Sequence, residues 1–216
     1  MTVIAILTVV VAYLLGSINF AVIFSNVFLK KDVRNLGSGN AGTTNVMRNA
    51  GFLPGALTFL CDVAKGFLAS FIGREIFEFL ATKTDAFWAE GIYGAYLCGL
   101  LCMAGHIFPI FFGFKGGKGV ATSVGIFLVC SPLAIGSGII VFCIVLLVFK
   151  MVSLSSILAA ITVVASSAIF FESTASITPV IIISVLMGTM VILKHKDNIK
   201  RIIAGEEPKI LKGGKK

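Results

Sequence analysis

Long stretches without charged side chains are the feature that most limits how this chain of 216 residues can fold. Residues 1–29, 91–114, 119–149, 151–171 and 173–193 contain no Asp, Glu, Lys or Arg, and a sixth stretch, about 53–73, contains only Asp62 and Lys65. A helix needs about 20 mostly apolar residues to cross a bilayer. With 57% apolar and 13% charged residues, a chain of this size has more apolar surface than its own core can bury. The composition therefore indicates a membrane protein and argues against a soluble enzyme, a disordered chain or a disulfide scaffold.

The stretch 119–149 is too long for one straight crossing. At 1.5 Å per residue it would reach about 46 Å, against a hydrocarbon core of about 30 Å. The pair Ser131-Pro132 near its middle allows one tilted helix or two shorter helices that meet at the proline. Each half is short for a full crossing, which argues against two helices, so the chain has six or seven spans.

The positive-inside rule, by which short cytoplasmic loops carry an excess of Lys and Arg, distinguishes the two counts. With seven spans and the N-terminus outside, 15 of the 18 basic residues face the cytoplasm, while the outer face keeps two basic residues and five acids. Six spans would move eight cations of the tail outside. The sequence therefore predicts an all-α, polytopic membrane protein with seven transmembrane helices, the N-terminus outside and the C-terminus cytoplasmic. Residues 1–216 are predicted to form a single integral membrane domain.

Two predicted cytoplasmic segments combine glycines with polar or basic side chains. The first, residues 35–51, reads NLGSGNAGTTNVMRNAG and carries Arg48 near its end. The second, residues 106–123, reads HIFPIFFGFKGGKGVATS. Glycines let backbone N–H groups approach an anion closely, and adjacent ammonium groups favour a phosphate. The alternatives are a flexible connector for the first segment and a basic membrane anchor for the second.

The second segment is not a nucleotide-binding P-loop, although it has a Gly-Lys pair. The spacing from Gly113 to Gly117 is one residue too short for that motif, and Gly119 stands where a Ser or Thr would hold Mg²⁺. The segment therefore argues for phosphate binding without an ATPase activity.

Other polar residues are spaced so that they share a helix face. Asp62 and Lys65 lie three residues apart. A charged pair at membrane depth is costly, which makes it a functional candidate, although it could be a structural ion pair. Ser153 and Ser156 have the same spacing, and serines in membrane helices commonly bond their own backbone.

The two histidines also have two interpretations each. His195, close to Asn198 at the start of the tail, could be a general base or a hydrogen-bond donor to phosphate. His106 is a candidate or simply a satisfied helix-end histidine. Two histidines without an acidic cluster argue against a metal site. Cations dispersed among loops, without a stacking platform, argue against nucleic acid as a partner.

Four motifs, in this order, resemble those of bacterial acyl-phosphate:glycerol-3-phosphate acyltransferases: GSGNAGTTNVMR, CDVAKG, GHIFPIFFGFKGGKGVATS and KHKDNIKR. The similarity runs from about Asp32 to Glu206, with Thr43 where that family more often has Ala. It implies a seven-span enzyme of the bacterial inner membrane with its active site at the cytoplasmic face. The enzyme would transfer a fatty acyl group from acyl-phosphate to the 1-hydroxyl of sn-glycerol 3-phosphate. The products would be lysophosphatidic acid and inorganic phosphate, in the first acylation of phospholipid synthesis.

The resemblance also implies roles for residues. The catalytic residues would be Ser38, Lys118 and His195. The substrate-binding residues would be Asn40, Asn45, Arg48, Lys115, Gly116, Gly117, Gly119, Ser153, Ser156 and Asn198. Asp62, Lys65 and His106 would be structural or accessory, and the choice between Ser153 and Ser156 stays open.

The expected partners are small molecules and lipid. Besides the two substrates, these are membrane lipids and, through functional coupling, an enzyme that forms acyl-phosphate. No cofactor and no metal are expected. The acyl chain is expected to lie in a groove among Leu, Ile and Phe side chains.

The main alternative from a different class is a transporter for phosphate or glycerol-phosphate, since broken helices and inner cations occur in transporters. A transporter predicts binding groups near the bilayer midplane and repeated halves. Most polar motifs here cluster at one face, and the sequence has no clear internal repeat. A purely structural membrane protein would not need such dense Gly, Asn and Lys loops.

Overall fold

A computed structural model describes residues 1–84, 86–171 and 175–210. Over these residues the chain forms ten α-helices, joined by loops and short 3₁₀ turns, and no strand. The helices are α1 Thr2–Gly16, α2 Phe20–Leu29, α3 Thr43–Ala50, α4 Phe52–Ala81, α5 Gly91–Ile107, α6 Val120–Cys130, α7 Pro132–Phe149, α8 Val152–Ile169, α9 Ile177–Lys194 and α10 Lys196–Ile203. The prediction of an all-α fold is confirmed.

Within the described ranges, six helical segments are long and apolar enough to cross a membrane. They are Thr2–Leu29, Phe52–Ala81, Gly91–Phe112, Pro132–Phe149, Val152–Ile169 and Ile177–Lys194. The helix α6 is apolar but has 11 residues, which gives a length of about 16 Å against a core of about 30 Å. Seven full crossings and the orientation of the termini stay predictions. Five residues of the charge argument, Asp85, Glu172, Lys212, Lys215 and Lys216, lie outside the described residues.

The stretch 119–149 divides at its proline. The helix α6 ends at Cys130, Ser131 is extended, and α7 begins with Pro132. Proline suits a first helical position because the N–H that it lacks would have no intrahelical partner there. Of the two alternatives, two helices that meet at the proline is the correct one.

The first apolar stretch is also interrupted, which its lack of charge does not predict. The helix α1 ends at Gly16 and α2 begins at Phe20. The side chain of Asn19 caps α2 by accepting a hydrogen bond from the Val22 N–H at 3.2 Å. The break frees backbone carbonyls at the end of α1, and these need donors because the site is buried.

Close helix contacts organise the bundle around α4. The most extensive contacts join α4 to α5 and α6, α7 to α8, and α1 to α5. Gly66 on α4 lies against the Thr122 carbonyl, and Gly125 on α6 lies against the Val63 carbonyl, so the two backbones approach closely. Many Leu, Ile, Val and Phe side chains point outward from α1, α4, α7 and α9. Such exposure suits a protein whose solvent is lipid.

Candidate active site

The polar segments of the sequence meet at one end of the bundle, around a cavity of about 1170 Å³ that we call the polar cleft. Its walls come from the loop before α3, the segment between α5 and α6, the start of α8, and the junction of α9, α10 and the tail. Among the described residues that line it, six are cationic and three are carboxylates: Arg48, Lys115, Lys118, Lys194, Lys196 and Arg201 against Asp62, Asp197 and Glu207. The excess of positive charge suits an anionic ligand.

Asn45 holds the first polar loop in shape. Its amide nitrogen donates to the carbonyl oxygens of Val33, Leu36 and Asn40, each at 3.0 Å. Its amide oxygen accepts from the backbone N–H of Ser38 at 3.2 Å. This buried network argues against a flexible connector and makes Asn45 a support for the loop. The prediction that Asn45 itself binds substrate stays a prediction.

The first loop presents further polar groups to the cleft. Ser38, Asn40 and Arg48 all line it, while their roles in catalysis or substrate binding stay predictions. Thr43 lines it too, and its buried hydroxyl has no hydrogen-bond partner among the described residues. The position of Thr43 in the cleft was not predicted from the sequence.

Arg34, paired with Asp32, joins the first loop to the second. The Arg34 guanidinium binds the Asp32 carboxylate at 2.7 Å and donates to the Phe112 carbonyl at 2.6 Å. The hydrogen bond from Arg34 keeps the pKa of Asp32 below its usual range. Asp32 therefore holds Arg34 in place, and the hydrogen bond from Arg34 to Phe112 keeps the two loops of the cleft together.

The second loop is attached to the end of α5. The Gly116 and Gly117 N–H groups donate to the carbonyls of Ile107 and His106, both at 3.2 Å. Gly117 lies so close to the His106 ring and the Ala41 carbonyl that a Cβ would not fit. This close approach explains the glycines between Lys115 and Lys118.

Two sources of positive potential follow directly in the chain. The side chain of Lys118 reaches into the cleft and donates a hydrogen bond to the Asn198 amide oxygen. Burial lowers the pKa of Lys118 to about 8, so the ammonium is still largely protonated at neutral pH. Gly119, with φ of +84°, is the N-cap of α6, and the first-turn residues of that helix line the cleft. A helix N-terminus adds free N–H donors and a favourable dipole for an anion.

The tail folds back over the cleft through Glu207. This carboxylate accepts from the Asn198 amide at 2.7 Å and from Arg201 at 2.8 Å. Burial alone would raise the pKa of Glu207, but the Ser153 hydroxyl, Asn198 and Arg201 lower it overall. The Ile210 N–H then donates to the Lys150 carbonyl at 2.9 Å. Sequence reasoning missed Arg201 and Glu207.

His195 is neutral and presents one free ring nitrogen. Its Nδ1 lies 2.8 Å from the Val191 carbonyl, which only accepts, so Nδ1 carries the proton. Burial and the nearby Lys118 charge lower the pKa of His195 to about 4. Its Nε2 is therefore an acceptor, and no residue in the described ranges is seen to bond it. An unprotonated Nε2 can accept a hydrogen bond from a ligand but cannot donate one to phosphate, and the predicted catalytic role of His195 stays a prediction.

The two serines of α8 differ in what their hydroxyls do. Ser156 donates to the Val152 carbonyl of its own helix at 2.8 Å. Ser153 lies beside Glu207 and lines the cleft, and within the described part of the chain its hydroxyl makes no bond to its own helix. The structure therefore favours Ser153 over Ser156 as the serine available to a ligand.

Asp62, Lys65 and His106 form a separate group, the buried ionic cluster, between α4 and α5. Lys65 Nζ lies 2.8 Å from the Asp62 carboxylate and donates to the Gly16 and Ile18 carbonyls at 3.0 and 2.8 Å. These are the carbonyls freed by the break after α1. His106 Nδ1 lies 3.5 Å from Asp62. Asp62 and His106 reach the edge of the cleft, but the contacts of Lys65 favour a structural role.

A second cavity of about 340 Å³, the apolar cavity, opens from the polar cleft. The two share Phe59, Val120, Phe142 and Ser156 in their walls. The helices α6 to α9 supply most of its lining, and nearly all the lining side chains are apolar. A charged ligand group and an attached hydrocarbon chain would therefore find adjoining sites of matching polarity.

Comparison with known proteins decides which chemistry this arrangement serves. Residues 6–205 match the glycerol-3-phosphate acyltransferase family model. This chain belongs to that family. Glycerol-3-phosphate acyltransferase 2 of Bacillus anthracis is 41% identical over 95% of this chain and 99% of its own length. The glycerol-3-phosphate acyltransferase of Staphylococcus aureus strain Newman is 37% identical over 95% of this chain and 97% of its own.

Two solved structures extend the similarity to the fold. The crystal structure of PlsY, an integral membrane glycerol 3-phosphate acyltransferase, in its glycerol 3-phosphate form has a TM-score of 0.81. It is 34% identical, and the match covers 95% of each chain. The lysophosphatidic acid form has a TM-score of 0.76, with 95% of this chain and 94% of the other covered. The protein described here is thus an acyltransferase and a multi-pass membrane protein.

Proposed function

We propose that this acyltransferase moves a fatty acyl group from acyl-phosphate to the 1-hydroxyl of sn-glycerol 3-phosphate, releasing lysophosphatidic acid and inorganic phosphate. The observation that carries the proposal is the junction of a cationic cleft with an apolar cavity. The reaction brings together two phosphate groups and one hydrocarbon chain, and each has a site of suitable polarity. The enzyme acts at the cytoplasmic face of the bacterial inner membrane, as its basic loops and tail favour.

Two sets of residues would hold the two phosphates. The side chains of Ser38 and Asn40, with the N-terminus of α6, bind the acyl-phosphate. Gly116 and Gly117, whose N–H groups donate to carbonyls at the end of α5, hold the second loop beside it. The acyl chain of the acyl-phosphate enters the apolar cavity. The glycerol 3-phosphate lies on the other side of the cleft and is bound by Arg48, Lys115, Lys118, Ser153 and Asn198.

The reaction needs little more than close approach and charge stabilisation, because phosphate is a good leaving group. The hydroxyl oxygen attacks the acyl carbonyl carbon, and the bond from that carbon to the phosphate oxygen breaks with its electron pair going to phosphate. Lys118 and the α6 amides stabilise the charge that develops.

The hydroxyl proton goes to the departing phosphate. His195 Nε2 accepts a hydrogen bond from the hydroxyl and orients it. A histidine whose pKa is about 4 is too weak a base to keep that proton at neutral pH. We therefore assign the proton to the phosphate of the donor.

Purified enzyme with labelled glycerol 3-phosphate and one of three donors tests the proposal. The donors are palmitoyl-phosphate, palmitoyl-CoA and palmitoyl-acyl carrier protein. We expect labelled lysophosphatidic acid and stoichiometric phosphate with palmitoyl-phosphate alone. Product formed equally well from another donor would overturn the choice of donor. Uptake of label into sealed vesicles without product would instead indicate a transporter.

A further inference from the structure

The walls of the apolar cavity carry small side chains in its middle part and larger ones at the end away from the polar cleft. Lining residues in its middle part include Gly138 on α7, Ala159 and Ala160 on α8, and Gly188 on α9. Gly138 and Gly188 let their helices pack closely against α8, since a Cβ there would meet the side chain of Val163 or Val164. Four lining positions on three helices therefore lack bulk in this part of the cavity.

Large side chains close the far end. On each of α6, α7 and α9, one lining residue lies farthest from the cleft along the helix. These residues are Phe127 on α6, Ile135 on α7 and Met187 on α9. These three belong to one packed apolar cluster and are at most 5% exposed. The Phe127 ring also packs edge-on against the Tyr96 ring, with centroids 6.0 Å apart. A close-packed layer of this kind does not yield easily to an added group.

The closed end lies at a set depth. From Val120 at the cleft to Phe127 the wall rises seven residues along α6, or about 10 Å. Beyond Phe127 the chain turns at Ser131 into α7, so the short helix α6 itself limits how far the cavity extends. An acyl chain that enters from the cleft gains burial for each methylene until it meets this layer.

We propose that Phe127, Ile135 and Met187 form a floor that sets the length of the acyl chain the enzyme prefers. The proposal rests on the proposed function, because it assigns the apolar cavity to the acyl chain of the donor. Each methylene that fits contributes roughly a fourfold gain in binding. A methylene that meets the floor loses that gain and forces a bend. The preference among donors therefore falls steeply beyond one length.

Two substitutions move the floor in opposite directions. Met187→Ala deepens the cavity, and Ala160→Leu fills its middle part. We compare kcat/KM for octanoyl, decanoyl, dodecanoyl, tetradecanoyl and hexadecanoyl phosphate. Met187→Ala is expected to make a longer chain the best donor. The ratio of kcat/KM for the longer donor to kcat/KM for the shorter one should rise about tenfold. Ala160→Leu is expected to make a shorter chain the best donor, by a similar factor.

Matched controls lie on the lipid-facing sides of the same helices. Leu186→Ala on α9 changes a side chain that is 48% exposed. Ala165→Leu on α8 adds bulk at an exposed position. Neither residue lines the polar cleft or the apolar cavity, so both profiles should match that of the unaltered enzyme. If the controls changed the chain-length preference equally, the cause would be a general loosening of helix packing, and the proposal would be overturned.

The outcomes separate this inference from the proposed function. If the unaltered enzyme uses no acyl-phosphate of any length, the proposed function fails. If it uses acyl-phosphates but both floor variants keep its profile, only the floor fails. Dodecyl, tetradecyl and hexadecyl phosphate can bind but carry no acyl group to transfer. The rise in melting temperature that each one causes measures the same chain-length preference without turnover. Should Met187→Ala not fold, an unchanged profile in Ala160→Leu by both readouts would suffice to overturn the floor.

Discussion

Lysine, histidine and a carboxylate meet twice in this molecule, and the two groups differ in how completely the lysine is paired. In the buried ionic cluster, the three donors of Lys65 have three partners: Asp62 and the Gly16 and Ile18 carbonyls. In the polar cleft, Lys118 has one hydrogen-bond partner, Asn198, among the described residues, and its remaining donors face a large cavity. Lys65 is buried and Lys118 half-buried, but charge alone does not distinguish these lysines. The number of unused donors does, and it separates a structural cation from one available to a ligand.

The two groups also differ in what the carboxylate does. Asp62 neutralises Lys65 directly at 2.8 Å. Glu207 instead binds Asn198 and Arg201 and leaves the Lys118 ammonium to the cleft. In the first group a carboxylate removes charge from a helix junction, and in the second it positions the donors of an anion site. Substitutions should therefore affect stability in the first group and activity in the second.

The largest expected effect is a loss of activity when the unused donors of Lys118 are removed. Lys118→Ala should lower kcat/KM by roughly a hundredfold or more, as removal of a preorganised donor at a developing charge does. The melting temperature should change little, because Lys118 makes one hydrogen bond, to Asn198, and Glu207 still binds that amide. Lys31→Ala, an exposed position outside the cleft, is the control. A folded Lys118→Ala enzyme with full activity would contradict the site assignment.

The complementary change in the buried ionic cluster should affect stability. Lys65→Met leaves the Asp62 charge and the two carbonyls at the α1 break without their donor, which should cost about 3–5 kcal/mol. The melting temperature in detergent should fall sharply. The double variant Asp62→Asn with Lys65→Met should recover part of the loss, since no uncompensated charge remains. A Lys65→Met protein of normal melting temperature and low activity would show that the cluster serves catalysis and would break the contrast.

The pH dependence should follow Lys118. Its pKa of about 8 means that the ammonium form is lost as the pH rises through that value, so kcat/KM should fall about tenfold per pH unit above it. Lys118→Arg should move this limb to higher pH, because arginine does not titrate there. His195, with a pKa of about 4, is neutral throughout the neutral range and should add no inflection near pH 6.5. An unmoved alkaline limb in Lys118→Arg would assign it to another group.

The smallest expected difference separates the two serines of α8. Ser153→Ala removes a hydroxyl available to the cleft and should raise KM for glycerol 3-phosphate about fivefold, the value of one hydrogen bond. Ser156→Ala removes a hydroxyl that bonds its own helix and should change KM less than twofold. A larger effect at Ser156 would reverse the assignment.

Much of this site was predictable because its chemistry lies in local patterns. Charge-free runs identified the membrane helices, and Pro132 marked a break that the structure confirms. Glycine with Lys118 and Arg48 pointed to an anion, and these segments do meet at one cleft. The roles of individual residues did not follow from composition, and the resemblance to a known family supplied them.

What sequence reasoning missed depends on contacts between distant residues. The break between α1 and α2 is stabilised by Lys65, which lies 49 residues after Gly16 and 47 after Ile18 in the sequence. The apolar run itself therefore contains no signal that predicts the break. Glu206 and Glu207 are adjacent in the sequence, but only Glu207 is buried against Asn198 and Arg201. No periodicity distinguishes the two glutamates.

By itself, the sequence determined that the chain is all-helical, that lipid is its solvent, and that its polar chemistry is cationic and glycine-rich. These properties follow from composition and spacing along the chain. Only the tertiary structure decided which lysine keeps unused donors, which serine faces the cleft, and where the apolar cavity joins it. Those outcomes depend on which groups remain unpaired after the helices pack, and pairing between distant residues is a property of the folded chain.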